Sequence, residues 1–425
     1  MSLELFGVAA AAAILLAAGL WVPFVIAGAS ILLILLQQGP AGLRAVGMVT
    51  WSSSNSFTLT AIPLFILMAE VLLQSGLAGR LYRGLSVFTG RLPGGLLQTN
   101  ILGCAMFSAI SGSSVATAAA IGTVAIPEQQ ARDYDMRMAY GSLAAGGTLG
   151  ILIPPSIAFI IYGSFTDISI AKLFAAGMVP GLVLTAIFSL YVGFAGRRPA
   201  DAAVAAAPSL SGALLDTLPV ILLIALVLGA LYSGWTTPTE AAGVGAVLAA
   251  VIAAAYGQLT WAVLQRSLQR TLRSSTAILF VVIAAYLFSY AIAISGATSA
   301  LTSWLVSLNL GRTEFLVAMA LIYVALGLFI ESIAMIVITV PLIAPVLANY
   351  GIDPIWFGVF LVILIELGQI TPPFGLNLFV IQGVNNARFA DVVRGAVPYY
   401  VLLVAFMVVL VLWPSLALWL PSMLR

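Results

Sequence analysis

Long apolar stretches, cut by glycine, proline and short polar clusters, make up most of this chain. A helix needs about 20 mainly apolar residues to cross the roughly 30 Å hydrocarbon core of a bilayer. Ten stretches approach that length, so we predict an all-α polytopic membrane protein. The predicted crossings are residues 3–19, 22–36, 57–75, 138–163, 173–196, 216–232, 239–257, 274–296, 354–381 and 396–421.

Two further apolar stretches, 95–127 and 314–348, are long enough to enter the membrane and return, and each has a polar break near its middle. The breaks read SGSSVAT at 111–117 and GLFIESIA at 327–334. Irregular backbone at membrane depth is stable only when it is buried in protein or lines a cavity. We therefore predict two re-entrant hairpins with their tips at these breaks.

The same landmarks occur in the same order in both halves of the chain. Leu-Gly followed by Pro-Pro occupies 149–155 and again 367–373, an offset of 367 − 149 = 218, and Ser114 and Ser332 keep that offset. Five crossings per half is an odd number, so the second half must enter the membrane from the opposite side, and we predict an inverted repeat. Further pairs at offsets of 215 to 220 are Val179-Pro180 with Val397-Pro398, Ser75-Gly76 with Ser295-Gly296, and Gly19, Pro23 and Gly28 with Gly234, Pro238 and Gly243.

Composition supports the membrane prediction and excludes several kinds of site. Hydrophobic residues form 62% of the chain and charged residues 7%, against about 25% charged residues in soluble domains. There is no histidine and one cysteine, Cys104, so zinc sites, Cys/His nucleophile pairs and disulfide frameworks lack ligands or partners. No basic run exceeds two residues, so we expect no nucleic-acid partner. The opening segment lacks the features of a secretory signal, and we expect it in the mature protein.

The basic residues favour one orientation across the membrane. Twelve of the 16 fall in loops on one face of the predicted topology, which the positive-inside rule makes cytoplasmic. We therefore predict both termini on the periplasmic side, and interfacial helices at Leu43–Ser56 on the outer face and Trp261–Arg273 on the inner face. The cytoplasmic set is Arg80, Arg83, Arg91, Arg132, Arg137, Arg197, Arg198, Arg266, Arg270, Arg273, Arg388 and Arg394, and the other set is Arg44, Lys172, Arg312 and Arg425.

The residues that could bind an ion or a substrate lie where the predicted helices are broken. Free carbonyls at a break suit a hard cation such as Na⁺, and half-helix N-termini present N–H groups to a carboxylate. The ion-binding candidates are Ser111, Gly112, Ser113, Ser114, Thr148, Gly150, Gly327, Glu331, Ser332, Gly368, Thr371 and Pro372. The substrate-binding candidates are Ser113, Thr117, Pro154, Pro155, Ser156, Gln369, Pro373 and Asn377.

Each of these candidates has a structural alternative. Small and hydroxyl residues also line ordinary contacts between transmembrane helices. Glu70, Glu331 and Glu366 lie in apolar runs with no basic residue nearby in sequence. Such carboxyl groups either take part in function or are held by helix-end N–H groups in a purely structural role.

Enzyme motifs are weak, and we predict no enzymatic activity and no cofactor. Gly112-Ser113-Ser114 could present a serine nucleophile, but no histidine or embedded lysine is present as its base. The glycines at 146, 147 and 150 precede no Walker lysine, so ATP hydrolysis is excluded. Energy must come from an ion gradient or from another subunit.

Five motifs together resemble the large membrane (M) subunit of the tripartite ATP-independent periplasmic (TRAP) transporters, over nearly the whole chain. The resemblance implies the ion transporter superfamily fold, in which a transport domain moves like an elevator against a scaffold. On that basis we predict scaffold parts at 1–75 and 197–296, and transport parts at 76–196 and 297–425. The motifs are IPLFILMAE at 62–70, SGSSVAT at 111–117 with the following AAAIGTVAIPE, GTLGILIPPSIAFIIYG at 147–163, ESIAMIVITVPLIAPV at 331–346 and GQITPPFGLNLFV at 368–380.

The resemblance also implies a function and partners. The implied function is Na⁺-coupled uptake of a small organic acid across the bacterial inner membrane. The implied partners are a soluble periplasmic substrate-binding protein and a small four-helix membrane subunit, which we expect here as a separate polypeptide. Sialic acid, C4-dicarboxylates and other 2-oxo or hydroxy acids all remain open as substrates. Two alternatives are a one-component Na⁺-coupled dicarboxylate or citrate symporter of the same superfamily, and an intramembrane enzyme that uses Ser113 or Glu331.

Overall fold

The computed structural model describes residues 3–196 and 209–424, and these residues form helices joined by short connections. Arg197, Arg198 and Arg425, which contribute to the predicted orientation, lie outside the described residues. The helices are α1 Leu3–Ala17, α2 Val22–Gln38, α3 Gly42–Ser54, α4 Ala61–Gln74, α5 Leu77–Thr89, α6 Leu96–Ser111, α7 Ser114–Gln130, α8 Met136–Leu152, α9 Ile157–Thr166, α10 Ile170–Ala195, α11 Leu210–Tyr232, α12 Pro238–Ala255, α13 Trp261–Ile294, α14 Ala297–Ser307, α15 Arg312–Gly327, α16 Ser332–Ile343, α17 Pro354–Gln369, α18 Leu376–Asn385, α19 Phe389–Leu412 and α20 Ser415–Met423, with 3₁₀ turns at Gly39–Ala41, Thr58–Thr60 and Ala344–Tyr350.

Eight helical stretches within 3–196 and 209–424 are long and apolar enough to cross a bilayer, and a ninth appears if the pair at 58–89, bent by 69°, is one span. The predicted crossing at 3–19 is a helix of 15 residues, and the one at 354–381 is divided into helices of 16 and 10 residues. The prediction of ten crossings therefore exceeds the number that helix length supports. The eight are Val22–Ser54, Met136–Thr166, Ile170–Ala195, Leu210–Tyr232, Pro238–Ala255, Trp261–Ile294, Ser332–Tyr350 and Phe389–Leu412.

Two predicted helix boundaries differ substantially from those in the structure, and two helices were not predicted. The interfacial helix at 261–273 and the crossing at 274–296 form one helix, α13, because neither Gly nor Pro interrupts 261–294. The crossing at 396–421 ends at Leu412 and restarts as α20, since the residue before Pro414 is disfavoured in helical conformation. Two short helices, α5 and α14, occupy equivalent stretches to which the sequence pattern assigned no element.

The internal repeat is visible in the backbone. Each half contains a helix–break–helix hairpin (α6–α7, α15–α16), a broken helix (α8–α9, α17–α18) and a long final helix (α10, α19) in the same order. Left-handed residues recur at offsets of 215 to 220, which places corresponding turns at corresponding positions. These pairs are Gly19 with Gly234, Gly39 with Gly257, Gly76 with Gly296, Gly94 with Asn309, Asp133 with Gly351 and Asp167 with Asn386.

Helix packing separates two groups of elements that meet at the hairpin tips. In one, α13 packs against α2, α3 and α4, and α4 packs against α12. In the other, α8 packs against α6, α7 and α19, and α17 packs against α8, α10 and α15. Every residue of α8 from Ala139 to Leu152 and of α17 from Trp356 to Gln369 is buried. The two broken helices thus form the interior of the second group; the boundaries of scaffold and transport parts stay a prediction.

Candidate functional site

The first hairpin tip is a two-residue break between α6 and α7. Gly112 adopts a left-handed conformation with φ 59°, and Ser113 caps α7 by accepting a hydrogen bond from Ala116 N at 3.4 Å. Behind the tip, the hydroxyls of Ser111 and Thr117 are 2.7 Å apart and hydrogen-bonded. The chain therefore reverses at the tip with its polar groups held together inside protein.

The first tip is fastened to the first helix break. Ile157 N donates to Gly112 O at 3.4 Å, and Ser114 Oγ donates to Thr148 O at 3.3 Å. A Cβ on Gly150 would lie 2.5 Å from Ser113 O, so only glycine permits this approach. Gly150 therefore packs its backbone directly against the first tip.

Within the first break, Ser156 forms hydrogen bonds with backbone groups on both sides. Ser156 caps α9 through Phe159 N and donates to Ile151 O at 2.6 Å. Pro154 and Pro155, joined by a cis bond, are buried in the break. These side chains line the interior rather than an open cavity.

The second tip differs from the first in charge. Glu331 caps α16: its carboxylate accepts from Ala334 N at 3.4 Å and from Ser332 Oγ at 2.9 Å. The offset 331 − 113 = 218 makes Glu331 the counterpart of Ser113. The repeat therefore places a hydroxyl at one helix start and a carboxylate at the other.

The second break also contacts its hairpin through glycine. A Cβ on Gly368 would lie 2.8 Å from the Cα of Gly327, so the two backbones touch. Thr371 Oγ1 donates to Leu367 O at 2.5 Å, and Asn377 Nδ2 donates to Ala144 O at 3.3 Å, which joins the two halves. Unlike Pro154 and Pro155, Pro372 and Pro373 are exposed.

A cavity of about 350 Å³, called the tip cavity below, lies where both hairpin tips meet α4 and α13. Ser111 and Ser113 line it from the first tip, Glu331 from the second, and Glu70 from α4. The Glu70 carboxylate accepts a hydrogen bond from Gln74 Nε2 at 3.0 Å. Among residues 3–196 and 209–424, no basic side chain lines the tip cavity, so its electrostatics favour cations.

The chain matches the family model of the tripartite ATP-independent periplasmic transporter, DctM component, over residues 9–416. It belongs to this family. It is 34% identical over 401 residues to the C4-dicarboxylate TRAP transporter large permease protein DctM of Pseudomonas aeruginosa, covering 93% of this chain and 94% of that protein. The DctM-family chain is thus a large transporter permease and not an enzyme, as predicted.

Other relatives carry different names. The chain is 29% identical to the sialic acid TRAP transporter large permease protein SiaM of Vibrio cholerae, covering 92% of each chain. It is 29% identical to the isethionate TRAP transporter permease protein DctMQ of Oleidesulfovibrio alaskensis, of which it spans 62%. The solved structure of the Alcanivorax borkumensis YdaH transporter has the same fold, with a TM-score of 0.69, 17% identity and 90% coverage of each chain.

The permease brings only part of the predicted set to the tip cavity. Ser111, Ser113 and Glu331 line it. The other candidates lie behind the tips, in the breaks or where breaks and tips touch: Gly112, Ser114, Thr117, Thr148, Gly150, Pro154, Pro155, Ser156, Gly327, Ser332, Gly368, Gln369, Thr371, Pro372, Pro373 and Asn377.

Sequence patterns missed the opposite wall of this DctM-family cavity. Trp21, just before α2, and Ser274 and Ile278 on α13 line it at positions outside the predicted tips and helix breaks. Their role follows from packing, so no local signal could have identified them. Glu70, which the sequence marked as a carboxylate in an apolar run, could have been assigned to a cavity only by this packing.

Glu366 stands apart from the tips in the permease. It is fully buried, and neither carboxylate oxygen has a hydrogen-bond partner within the described parts of the chain. It lies two residues before Gly368, which is about 200° around a helix of 3.6 residues per turn. Glu366 therefore faces away from the contact between Gly368 and the second hairpin.

Proposed function

We propose that this permease takes up a small organic acid, coupled to Na⁺ and delivered by a soluble binding protein. The observation that carries the proposal is the tip cavity, where the two hairpin tips meet α4 and α13. The relatives are named for C4-dicarboxylate, sialic acid and isethionate, which are all small organic acids. A substrate of this size fits a cavity of about 350 Å³.

Na⁺ coupling is supported by the ligands that surround the tips. Backbone carbonyls at both breaks and the Glu331 carboxylate are oxygen ligands of the kind that hard cations prefer. No basic side chain competes for them in the tip cavity. Bound Na⁺ would offset the negative charge of Glu70 and Glu331, which would otherwise repel an anionic substrate.

An elevator motion is supported by the way the tips are attached. The first tip is hydrogen-bonded to α8 and α9, and the second touches α17 through glycine. Each tip therefore moves with its broken helix. Moving this unit would keep the same ligands around ion and substrate, whereas a fixed site would need two thin gates.

The partners follow from the family. A small membrane subunit and a periplasmic binding protein would complete the transporter in the bacterial inner membrane. Reconstitution tests this arrangement with radiolabelled succinate, sialic acid and isethionate. We expect Na⁺-driven uptake only when liposomes contain the chain and small subunit and the binding protein is added. Equal uptake by the chain alone would favour a one-component symporter.

Replacing Ser114 or Ser332 by Leu is expected to abolish Na⁺-driven uptake while the protein stays folded in the membrane. The two residues are equivalent in the repeat, and each follows the cap of a hairpin tip. A bulky apolar side chain there removes a hydroxyl from the proposed ion sites and displaces the tip. Uptake against Na⁺ concentration, normalised to membrane protein, checks this. Wild-type Na⁺ dependence in both variants would show that these serines are not part of the ion sites.

Cysteine labelling tests the predicted orientation. With Cys104 replaced, a cysteine at 172 should react with a membrane-impermeant thiol reagent in intact cells, and one at 198 should not. The expectation follows from the excess of basic residues on the face that contains residue 198. The opposite labelling pattern would reverse the orientation.

A further inference from the structure

A second cavity, called the mouth cavity below, lies beside α5. Its volume is about 500 Å³, and Leu73, Arg80, Arg83, Ala120 and Thr123 line it. Arg80 and Arg83 belong to the face that is predicted to be cytoplasmic. The mouth cavity is therefore at the inner end of the contact between α7 and the helices α4 and α5.

The two cavities lie along the same helix faces. On α7, Ala116 lines the tip cavity, while Ala120 and Thr123 line the mouth cavity. These positions are four and seven residues apart and so share one face of the helix. On α4, Ile66 and Glu70 line the tip cavity, and Leu73 follows on that face. The space between these faces of α4 and α7, from the tip cavity to the mouth cavity, is called the groove below.

Charge changes sign along this groove. The tip end has the carboxylates of Glu70 and Glu331, and the mouth end has the guanidinium groups of Arg80 and Arg83. Both acidic side chains at the tip end lack a basic neighbour among the cavity-lining residues. An anion in the groove is therefore repelled at the tips and attracted at the mouth.

The two arginines differ in how they are held. Arg80 Nη1 is 3.1 Å from Asp216 Oδ1, and its guanidinium lies 4.7 Å from the centre of the Tyr256 ring. Arg83 makes no ion pair with any residue in 3–196 or 209–424. Its Nη1 and a methyl of Val124 on α7 both lie within 4 Å of the position that a Cβ on Gly79 would occupy. Arg83 therefore supplies the uncompensated positive charge, folded back toward the groove.

We propose that this groove is the release path for the substrate carboxylate and that Arg83 forms its anion-attracting mouth. The proposal rests on the proposed function, since it assigns a direction to the same transport. When the coupling cation leaves the tips, Glu70 and Glu331 repel the substrate, and Arg83 draws it along the groove. Arg80, neutralised by Asp216, forms part of the wall of the mouth.

Charged thiol reagents test the groove without requiring transport. The probes are the anionic methanethiosulfonate ethylsulfonate and the cationic ethyltrimethylammonium analogue. They are applied to T123C at the mouth in a C104A background, in phosphatidylcholine nanodiscs, with rates normalised to a free thiol. We expect the anionic reagent to be favoured, R83E to reverse the preference by roughly tenfold, and R83K to retain it. High salt should remove the difference, because screening shortens the range of the charge.

R270E is the matched control, since Arg270 is an exposed arginine on α13 that does not line the groove. It should leave the preference at residue 123 unchanged. A cysteine at Ala116 tests continuity: A120W at the mouth should slow its labelling by both reagents. A preference that is insensitive to R83E, or labelling at 116 that is insensitive to A120W, would overturn the proposal.

Lipid headgroups offer the same anionic chemistry and are distinguished by a second nanodisc composition. If phosphatidylglycerol blocks labelling at 123 and R83E relieves that block, the mouth binds lipid and the release path is wrong. In reconstituted transporter, R83E should slow net uptake several-fold at low internal salt and recover at high salt. Wild-type liposomes that fail to take up any tested acid would instead contradict the proposed function, while the labelling result would still stand.

Discussion

Joining residue 164 to residue 286 through a short crosslinker is expected to stop transport completely. Ser164 is in α9, which moves with the first hairpin in the proposed elevator, and Tyr286 is in α13 on the opposite wall. Their hydroxyls are 2.8 Å apart, Tyr286 Oη also donates to Ser164 O at 2.9 Å, and the Phe165 ring stacks on Tyr286 at 4.5 Å. An elevator must break this contact in every cycle.

The crosslink is made between S164C and Y286C in a C104A background. A tyrosine side chain spans the gap, so the two Cα atoms are too far apart for a direct disulfide, and a bifunctional maleimide is required. The matched control is Q38C with Y290C, because Gln38 Nε2 donates to Tyr290 Oη at 3.1 Å entirely within the α2–α13 contact. Uptake is measured before and after crosslinking. Full activity with a verified 164–286 crosslink would refute the elevator and favour gating around a static site.

Replacing Gly368 by Ala is expected to reduce uptake at least about tenfold. The added methyl would lie 2.8 Å from Gly327 Cα, and backbone cannot move aside as a flexible side chain can. Overpacking of this kind typically destabilises a protein by about 1–3 kcal/mol. Because the contact joins the second hairpin to its broken helix, the strain falls on the tip that carries Glu331.

G383A is the control for this substitution. Gly383 is a helical glycine in α18 with nothing within 4 Å of an added Cβ, so the same chemical change creates no clash. Thermal unfolding of both variants in detergent separates a local displacement of the tip from general loss of fold. Equal uptake and equal unfolding temperature in G368A and G383A would show that the close backbone contact is dispensable.

Local signals were sufficient for the breaks, the tips and the repeat. Polar residues inside apolar runs marked the tips, and Pro-Pro pairs after Leu-Gly marked the broken helices. The offset of 218 pairs Ser114 with Ser332, and it also makes Glu331 the counterpart of Ser113. These features depend on a few neighbouring residues, which is why sequence reasoning reached them.

Features that depend on packing between distant segments could not be predicted from the sequence. The wall formed by Trp21, just before α2, and Ser274, within α13, has no local signature, since neither residue lies at a predicted tip or helix break. The predicted boundary at Arg273 separates an amphipathic segment from an apolar one, but α13 continues through it. A change of solvent along a helix does not interrupt its backbone hydrogen bonds.

The unbroken length of α13 also bears on how the permease holds its depth in the lipid. Its 34 residues span roughly 50 Å, well beyond the hydrocarbon thickness of about 30 Å. Arg266, Arg270 and Arg273 lie in its first half, where anionic headgroups attract them. A long, continuous helix anchored at the headgroups would keep the same depth in the bilayer while the proposed transport unit moves. In the proposed elevator, the bilayer would therefore deform around the moving transport unit, and turnover would depend on the chain length of the lipids.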